Sequence, residues 1–493
     1  MEAAINFPFF SIMLTMAAGI ISNVLKPKTA YRFNLVITTI CFILNAILLY
    51  FLIIEPKDIT FMMGHFPAPW GNEIRFGPFE ALMSTCLTLI VLLSSISQSD
   101  TILKRLDQSK GHIFYLMVNL LLSSTYALIF TNDIFTAYVF IEINTLCSIG
   151  LVAAKNSRKC MAATIKYLIM SLLGSGLFLI SISLLYAVTG HLLMPNVHEV
   201  LVSYIANGEH ILTITIIGGL LAISIAIKSA LFPFHNWVPN AYDRAFNFTN
   251  SLSSGIVLKS YIILLIKMIY RVFGMEVMKG LDVLNILFIF GSISLVFASY
   301  NALKESNIKK ILAYSSVAQI GYIYVGIGIG TTDGFIAASY IIIAHSFTKA
   351  MLFLSCEGLM VANNNSKRIN DLYGAGLNNI YAGIGFVVGA LLMIGFPLLS
   401  GFFGKYLLAS ASLSSPISAL IVIAGLTIST VLNAIYFLRI AIIIFTKNNI
   451  NTYKFIVSNN YKVTIILFVI VNIVFSFSYS GILDILRVGL ELL

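Results

Sequence analysis

About fourteen stretches of roughly 20 mostly apolar residues alternate with short polar connections along the chain. They begin near Phe7, Phe33, Pro78, His112, Asp133, Thr164, Ile211, Ser251, Leu284, Ile311, Gly334, Asn379, Pro416 and Val463. Twenty helical residues rise about 30 Å, the thickness of a bilayer's hydrocarbon core, so each stretch is predicted to be a transmembrane helix. The stretch from Leu221 to Lys259 departs from the pattern, because it holds Lys228, Pro233, His235, Pro239 and Lys259 among apolar neighbours. Lys228 stands five residues before Pro233, which has no backbone N–H to donate. This predicts a helix broken beside an ionisable group. Such backbone is tolerated at membrane depth only where it is buried in protein or lines a watery cavity.

Composition supports the membrane reading. Of 493 residues, 59% are hydrophobic and 10% charged, against about 25% charged in a soluble domain. The apolar runs are too many for a signal peptide ahead of a soluble core, and the first shows no small-residue cleavage site, so no segment is expected to be removed. Cys41, Cys86, Cys147, Cys160 and Cys356 show no metal-type spacing and read as packing residues. Glycine-rich phosphate-binding patterns are absent. No metal, cofactor or catalytic redox centre is therefore expected in this chain.

The connections alternate in charge. After the odd-numbered stretches come Lys26, Lys28 and Arg32; Lys104, Arg105 and Lys110; Lys155, Arg158, Lys159 and Lys166; Arg244; Lys304, Lys309 and Lys310; Lys367 and Arg368; and Lys447, Lys454 and Lys462. The other side has few, such as Lys57, Arg75 and Lys279, beside Glu55, Asp58, Glu199 and Glu209. By the positive-inside rule the basic loops are cytoplasmic and both termini lie outside. The net charge of +10 is thus a topology signal, with no nucleic-acid partner implied.

Six basic residues fall inside the stretches: Lys228, Lys259, Lys267, Lys349, Lys405 and Arg439. Each would cost about 2.5–3.5 kcal/mol at the centre of a lipid-facing helix, so each should face the protein interior or reach an interface. Glu142 lies about ten residues into the fifth stretch, roughly 15 Å deep. His345 is at similar depth and Lys259 slightly shallower, while Lys349 is one turn beyond His345 on the same face. Lys228 and Lys405 are deep if their helices break, at Phe232-Pro233-Phe234 and between Gly395-Phe396-Pro397 and Gly401. Lys267 and Arg439 read as snorkelling or structurally paired, and His65, His112, His191, His198 and His210 as packing residues. Several ionisable groups at one depth in separate helices point to a buried polar chain in the membrane plane, as in a proton relay; a purely structural Glu142 ion pair is the plainer alternative.

Ala226 to Ala241, A-I-K-S-A-L-F-P-F-H-N-W-V-P-N-A, resembles a signature of the antiporter-like subunits shared by respiratory complex I, Mrp-type sodium/proton antiporters and energy-converting hydrogenases. Val238 replaces that signature's leucine. Three further matches precede it: Asp133 with Phe140-Ile141-Glu142, Lys166-Tyr167, and Leu185-Tyr186 with Thr189-Gly190. Three follow: Lys309-Lys310 with Leu312-Ala313-Tyr314-Ser315-Ser316, His345 with Lys349-Ala350 and Leu352-Phe353, and Gly395-Phe396-Pro397 with Gly401-Phe402 and Lys405. The resemblance covers about residues 70 to 440, and the Gly64–Gly71 segment looks closer to the Mrp and hydrogenase branch.

The resemblance implies an all-α polytopic membrane protein with two inverted five-helix repeats, each with one broken helix, marked here by Pro233 and Pro397. The expected divisions are 1–110 for three N-terminal helices, 111–275 and 276–446 for the repeats, and 447–493 for the last helix. Glu142 and Lys228 would be a coupled pair at a cytoplasmic half-channel, Lys259 and His345 the central relay, and Lys405 the exit group, with Asp133, His235 and Lys349 in support. A lysine suits this work because burial favours its neutral form and a nearby carboxylate its charged one. The chain departs from the family at Pro239-Asn240-Ala241-Tyr242 and Arg244-Ala245-Phe246-Asn247, where a P-D-A-H run and a proline-rich turn are usual. The implied function is proton or sodium/proton translocation in a prokaryotic cell membrane. The implied partners are homologous antiporter-like subunits, small membrane subunits and a hydrogenase-like or quinone-type module. A stand-alone solute transporter and a structural subunit that has lost transport are the alternatives.

Overall fold

The computed structural model describes residues 2–66, 71–97, 106, 110–447 and 458–493. Lys104, Arg105, Lys454 and the Pro67–Trp70 part of the Gly64–Gly71 segment lie outside these residues. Thirteen helices among the described residues are long and apolar enough to cross a membrane. They comprise α1 (Phe7–Ser22), α2 (Pro27–Ile54), α3 (Pro78–Ser97), α4 (Gly111–Phe130), α5 (Ile134–Ala153), α6 (Arg158–Thr189) and α8 (Ile211–Lys228). Then follow α10 (Asn247–Phe273), α11 (Val283–Lys304), α12 (Ile308–Gly328), α13 (Thr332–Val361), α16 (Pro416–Phe445) and α17 (Asn459–Phe477). The twelfth predicted stretch is two shorter helices, α14 (Ile380–Ile394) and α15 (Ser400–Ser412). With that broken crossing the count of fourteen holds.

Caps set several of the starts. Asp133, Ser157, Asn307 and Thr331 each accept a hydrogen bond from a first-turn N–H, and Pro27 and Pro416 open helices where no intrahelical donor is needed. Burial then sorts the helices. The most apolar windows of α10 and α13 are entirely buried within the protein, whereas those of α2, α6 and α16 are mostly exposed and face lipid. The protein is a multi-pass membrane protein whose polar chemistry lies in a central group of helices, chiefly α10, α12 and α13.

Two kinds of element escaped the sequence reading. A short hairpin of β1 (Ile59–Met62) and β2 (Glu73–Phe76) pairs antiparallel, Ile59 opposite Phe76, within an otherwise helical fold. Amphipathic helices α7 (Met194–Ala206) and α18 (Tyr479–Glu491) were also missed. Their apolar stripes are too short to register as spans.

The connections gather at two ends. After even-numbered crossings, Ile74 bridges Thr131, Asp133 bridges Leu193, and Arg271 at the end of α10 donates to Leu493 and Arg75 carbonyls. Arg271 also pairs with Glu80 at 2.8 Å, both fully buried. After odd-numbered crossings, Asn307 bridges Arg368, and Asp243 receives Lys367 at 2.9 Å, Asn307 at 2.8 Å and Arg244 at 2.9 Å. This segregation is the one the alternating charge predicts.

Candidate functional site

Both predicted breaks exist. After Lys228 the chain leaves α8, turns through Ala230 at positive φ and a short 3-10 segment at Phe234–Asn236, then resumes as α9 (Trp237–Arg244). In the second, α14 ends at Gly395 with φ of +85°, a conformation only glycine adopts freely, and Pro397 precedes α15. Gly401 sits where α15 crosses α14 so closely that a Cβ would lie 1.7 Å from the Leu392 carbonyl oxygen.

At the first break, Lys228 is buried and its Nζ donates to Thr145 Oγ1 at 3.0 Å, 5.7 Å from the Tyr261 ring centre. Gly174 on α6 makes room for this side chain, since a Cβ there would meet Lys228 Cγ at 3.0 Å. Glu142 stands three residues before Thr145 on α5 and its Oε1 finds no hydrogen-bond partner among the described residues. Glu142 and Lys228 are within electrostatic reach but do not form a contact ion pair, because the Thr145 hydroxyl holds the ammonium instead. Thr145 Oγ1 also pairs with Tyr261 OH at 3.1 Å, and Tyr261 donates to Asn144 Oδ1 at 3.1 Å.

Lys259 follows a π-helical turn at Ser253–Val257 of α10 and donates to the Ser254 carbonyl. Ser254 Oγ pairs at 2.9 Å with Ser316 on α12. Lys349, fully buried on α13, donates to the Leu312 carbonyl at 2.9 Å and to Ser315 Oγ. His345 lies one turn earlier, in electrostatic reach of Lys259 and Lys349, and neither ring nitrogen has a hydrogen-bond partner among the described residues. It lines a small cavity of about 20 Å³ with Gln319, Tyr322, Thr348 and Lys405. Lys405 donates to the Ile394 carbonyl left open by the second break, at 2.6 Å, and to Thr430 Oγ1 at 2.8 Å.

The supporting residues divide. Asp133 caps α5, accepting from Thr136 N at 2.6 Å. His235 is walled by the rings of Phe232, Phe297 and Tyr314. Lys267 does not snorkel: it is fully buried and donates to the Ile129 and Thr131 carbonyls, filling the open end of α4. Sequence reasoning missed the hydroxyls of Thr145, Tyr261, Ser254, Ser315 and Ser316, although Tyr314-Ser315-Ser316 stood within one of the family-like motifs. At the basic end, burial would raise the Asp243 carboxyl, but Lys367, Asn307 and Arg244 outweigh it and hold it below its ordinary value of 3.8.

None of Lys228, Lys259, Lys349 and Lys405 touches a carboxylate among the described residues; each is held by hydroxyls or carbonyls. Buried cations without counterions are costly, and a membrane protein that keeps several between two broken helices belongs to the class that moves ions. Known proteins agree. The family described as "NADH:quinone oxidoreductase/Mrp antiporter, TM" matches residues 131–433, and the chain belongs to it. An NADH-quinone oxidoreductase subunit of Desulforudis audaxviator is 27% identical over 430 residues, covering 87% of this chain and 83% of that one. A Na(+)/H(+) antiporter subunit of Bacillus subtilis is 27% identical over 375 residues, 75% of this chain and 73% of its own. Among solved structures, a chain of the membrane-bound sulfane sulfur reductase, an archaeal respiratory membrane complex, superposes with a TM-score of 0.89 at 22% identity, covering 98% of this chain and 97% of that one. A chain of the Mrp complex from Dietzia gives 0.88 at 19% identity, covering 100% and 97%.

Proposed function

We propose that this chain is a proton-translocating subunit of a multi-subunit membrane complex. Protons move along Glu142, Lys228, Lys259, His345 and Lys405, with Lys349 beside the centre of the line. The observation that carries this reading is the set of lysines gathered between the two helix breaks, held by hydroxyls and carbonyls rather than neutralised by carboxylates. Glu142 and Thr145 lie on one face of α5, so the Lys228 ammonium has two alternative acceptors, the hydroxyl it now uses and the carboxylate one turn away. Exchange between them would gate proton loading. His345 and Lys405 share a cavity with enough polar partners to hold water between them.

Residues 111–275 and 276–446 are read as inverted repeats, a reading supported by one broken helix and one break-side lysine in each. The basic loops support a reading with both termini outside. Partners are other membrane subunits, as in the complexes whose chains share this fold. Sodium exchange is a second reading, favoured by the relation to the Bacillus subtilis Na(+)/H(+) antiporter. The test is ion movement normalised to assembled complex in Glu142→Gln and Lys228→Ala. Loss of movement with normal assembly is expected. Wild-type movement in either variant refutes the reading, and failure to assemble makes the residues structural.

A further inference from the structure

Helices α11 and α16 run side by side in the same direction, joined by Ser299 Oγ to Ser429 Oγ at 2.7 Å and by Gly425 seated against Leu295. Toward the membrane they part into a shallow, open groove. Its walls are apolar: Ile293, Phe297 and Tyr300 on α11, Ile421, Ile428 and Leu432 on α16.

Both walls end in a cation. Lys304 lies eleven residues beyond Ile293 and Arg439 eleven beyond Ile428. Eleven residues are close to three helical turns, so each basic side chain continues the stripe that lines its wall. Both are exposed, and neither forms an ion pair with a carboxylate among the described residues. The Lys304 ammonium rests on the Tyr300 ring, 4.1 Å from its centre. From Ile293 to Lys304 the rise is about 16 Å, half a 30 Å hydrocarbon core. An apolar groove one leaflet deep, closed at its headgroup end by two unpaired cations and a tyrosine, has the chemistry of an anionic amphiphile site.

We propose that this groove binds an anionic phospholipid, with an acyl chain between α11 and α16 and the phosphate held by Lys304 and Arg439. The site reaches the first helix break. Phe297 in the groove wall also contacts the Phe232 ring at 5.0 Å and the His235 ring at 5.7 Å. A bound chain therefore packs on the ring that walls the α8–α9 turn next to Lys228. Any effect on ion movement rests on the function proposed above; the binding does not.

The experiment places a tryptophan in the groove by Ile428→Trp, with the assembled complex reconstituted in phosphatidylcholine vesicles. Quenching by brominated phosphatidylglycerol is compared with quenching by brominated phosphatidylcholine, and the parent complex supplies the background, which includes Trp70 and Trp237. One basic residue near an anionic headgroup is worth about fivefold in binding. With two such residues a preference for phosphatidylglycerol of about 25-fold is expected, falling to parity in Lys304→Gln/Arg439→Gln. Equal quenching by both lipids with the two cations intact overturns the proposal. So does quenching by neither, the result if a partner subunit's helix fills the groove. If Ile428→Trp fails to assemble, Ile293→Trp on the opposite wall makes the same measurement.

Discussion

Thr145→Val isolates the hydroxyl that separates Lys228 from Glu142. Valine keeps the shape of threonine and removes the oxygen that accepts from Lys228 Nζ at 3.0 Å and pairs with Tyr261 OH at 3.1 Å. A hydrogen bond to a charged group is worth about 1.5–3 kcal/mol, which at 1.4 kcal/mol per decade is about ten- to 150-fold in the balance between two acceptor positions. With its present acceptor gone, the buried ammonium turns to Glu142, and the pair closes. Ion turnover per assembled complex should fall at least tenfold, with assembly unchanged and activity restored in Thr145→Ser. The assay is proton uptake into inverted vesicles, normalised to complex quantified by native gel. Wild-type turnover in Thr145→Val, or failure of Thr145→Ser to restore it, refutes the idea that this hydroxyl sets the resting position of Lys228.

Two further outcomes follow from the ends of the bundle. The Asp243 carboxyl is held below its ordinary value, so it binds fewer protons in the folded state than in the unfolded one at acid pH, and its stabilising effect is fully present above about pH 4 and lost as pH falls through the lowered value. Thermal stability of the assembled complex should therefore lose its dependence on Lys367 only below about pH 4, so a Lys367→Met penalty that already vanishes at pH 6 would contradict the assignment. Topology is read by cysteine labelling at Ser306 and Glu199, both exposed; Lys309, in a basic loop, is buried on Ala245 and unsuitable. Labels should report opposite sides, Ser306 cytoplasmic, and labelling from one side overturns the topology.

The crossings were legible because a bilayer demands about 20 apolar residues and because proline and glycine mark where a helix must stop. Pro233 and Pro397 carried that signal, and so did the depth of Lys228, Lys259, His345 and Lys349. The hydroxyl links were not legible. Serine and threonine are common in membrane helices, and nothing in sequence spacing says that Thr145 meets Lys228 across 83 residues or Ser254 meets Ser316 across 62. Sequence also left Lys267 between snorkelling and a structural role: depth near a helix end suggests snorkelling, but the open carbonyls at the end of α4 that capture it belong to another helix. The α7 and α18 helices and the β1–β2 hairpin lie outside the crossings, where neither a span-length nor a charge pattern applies.

Lys259 is the most direct test of the relay, since it stands between the two breaks, fully buried, with only the Ser254 carbonyl as acceptor among the described residues. Lys259→Met keeps the length and apolar bulk of the side chain and removes the titratable group. Proton movement per assembled complex, followed with a pH-sensitive dye in inverted vesicles, should drop to background while assembly stays at the wild-type level. Assembled Lys259→Met complex that moves protons at the wild-type rate contradicts the account.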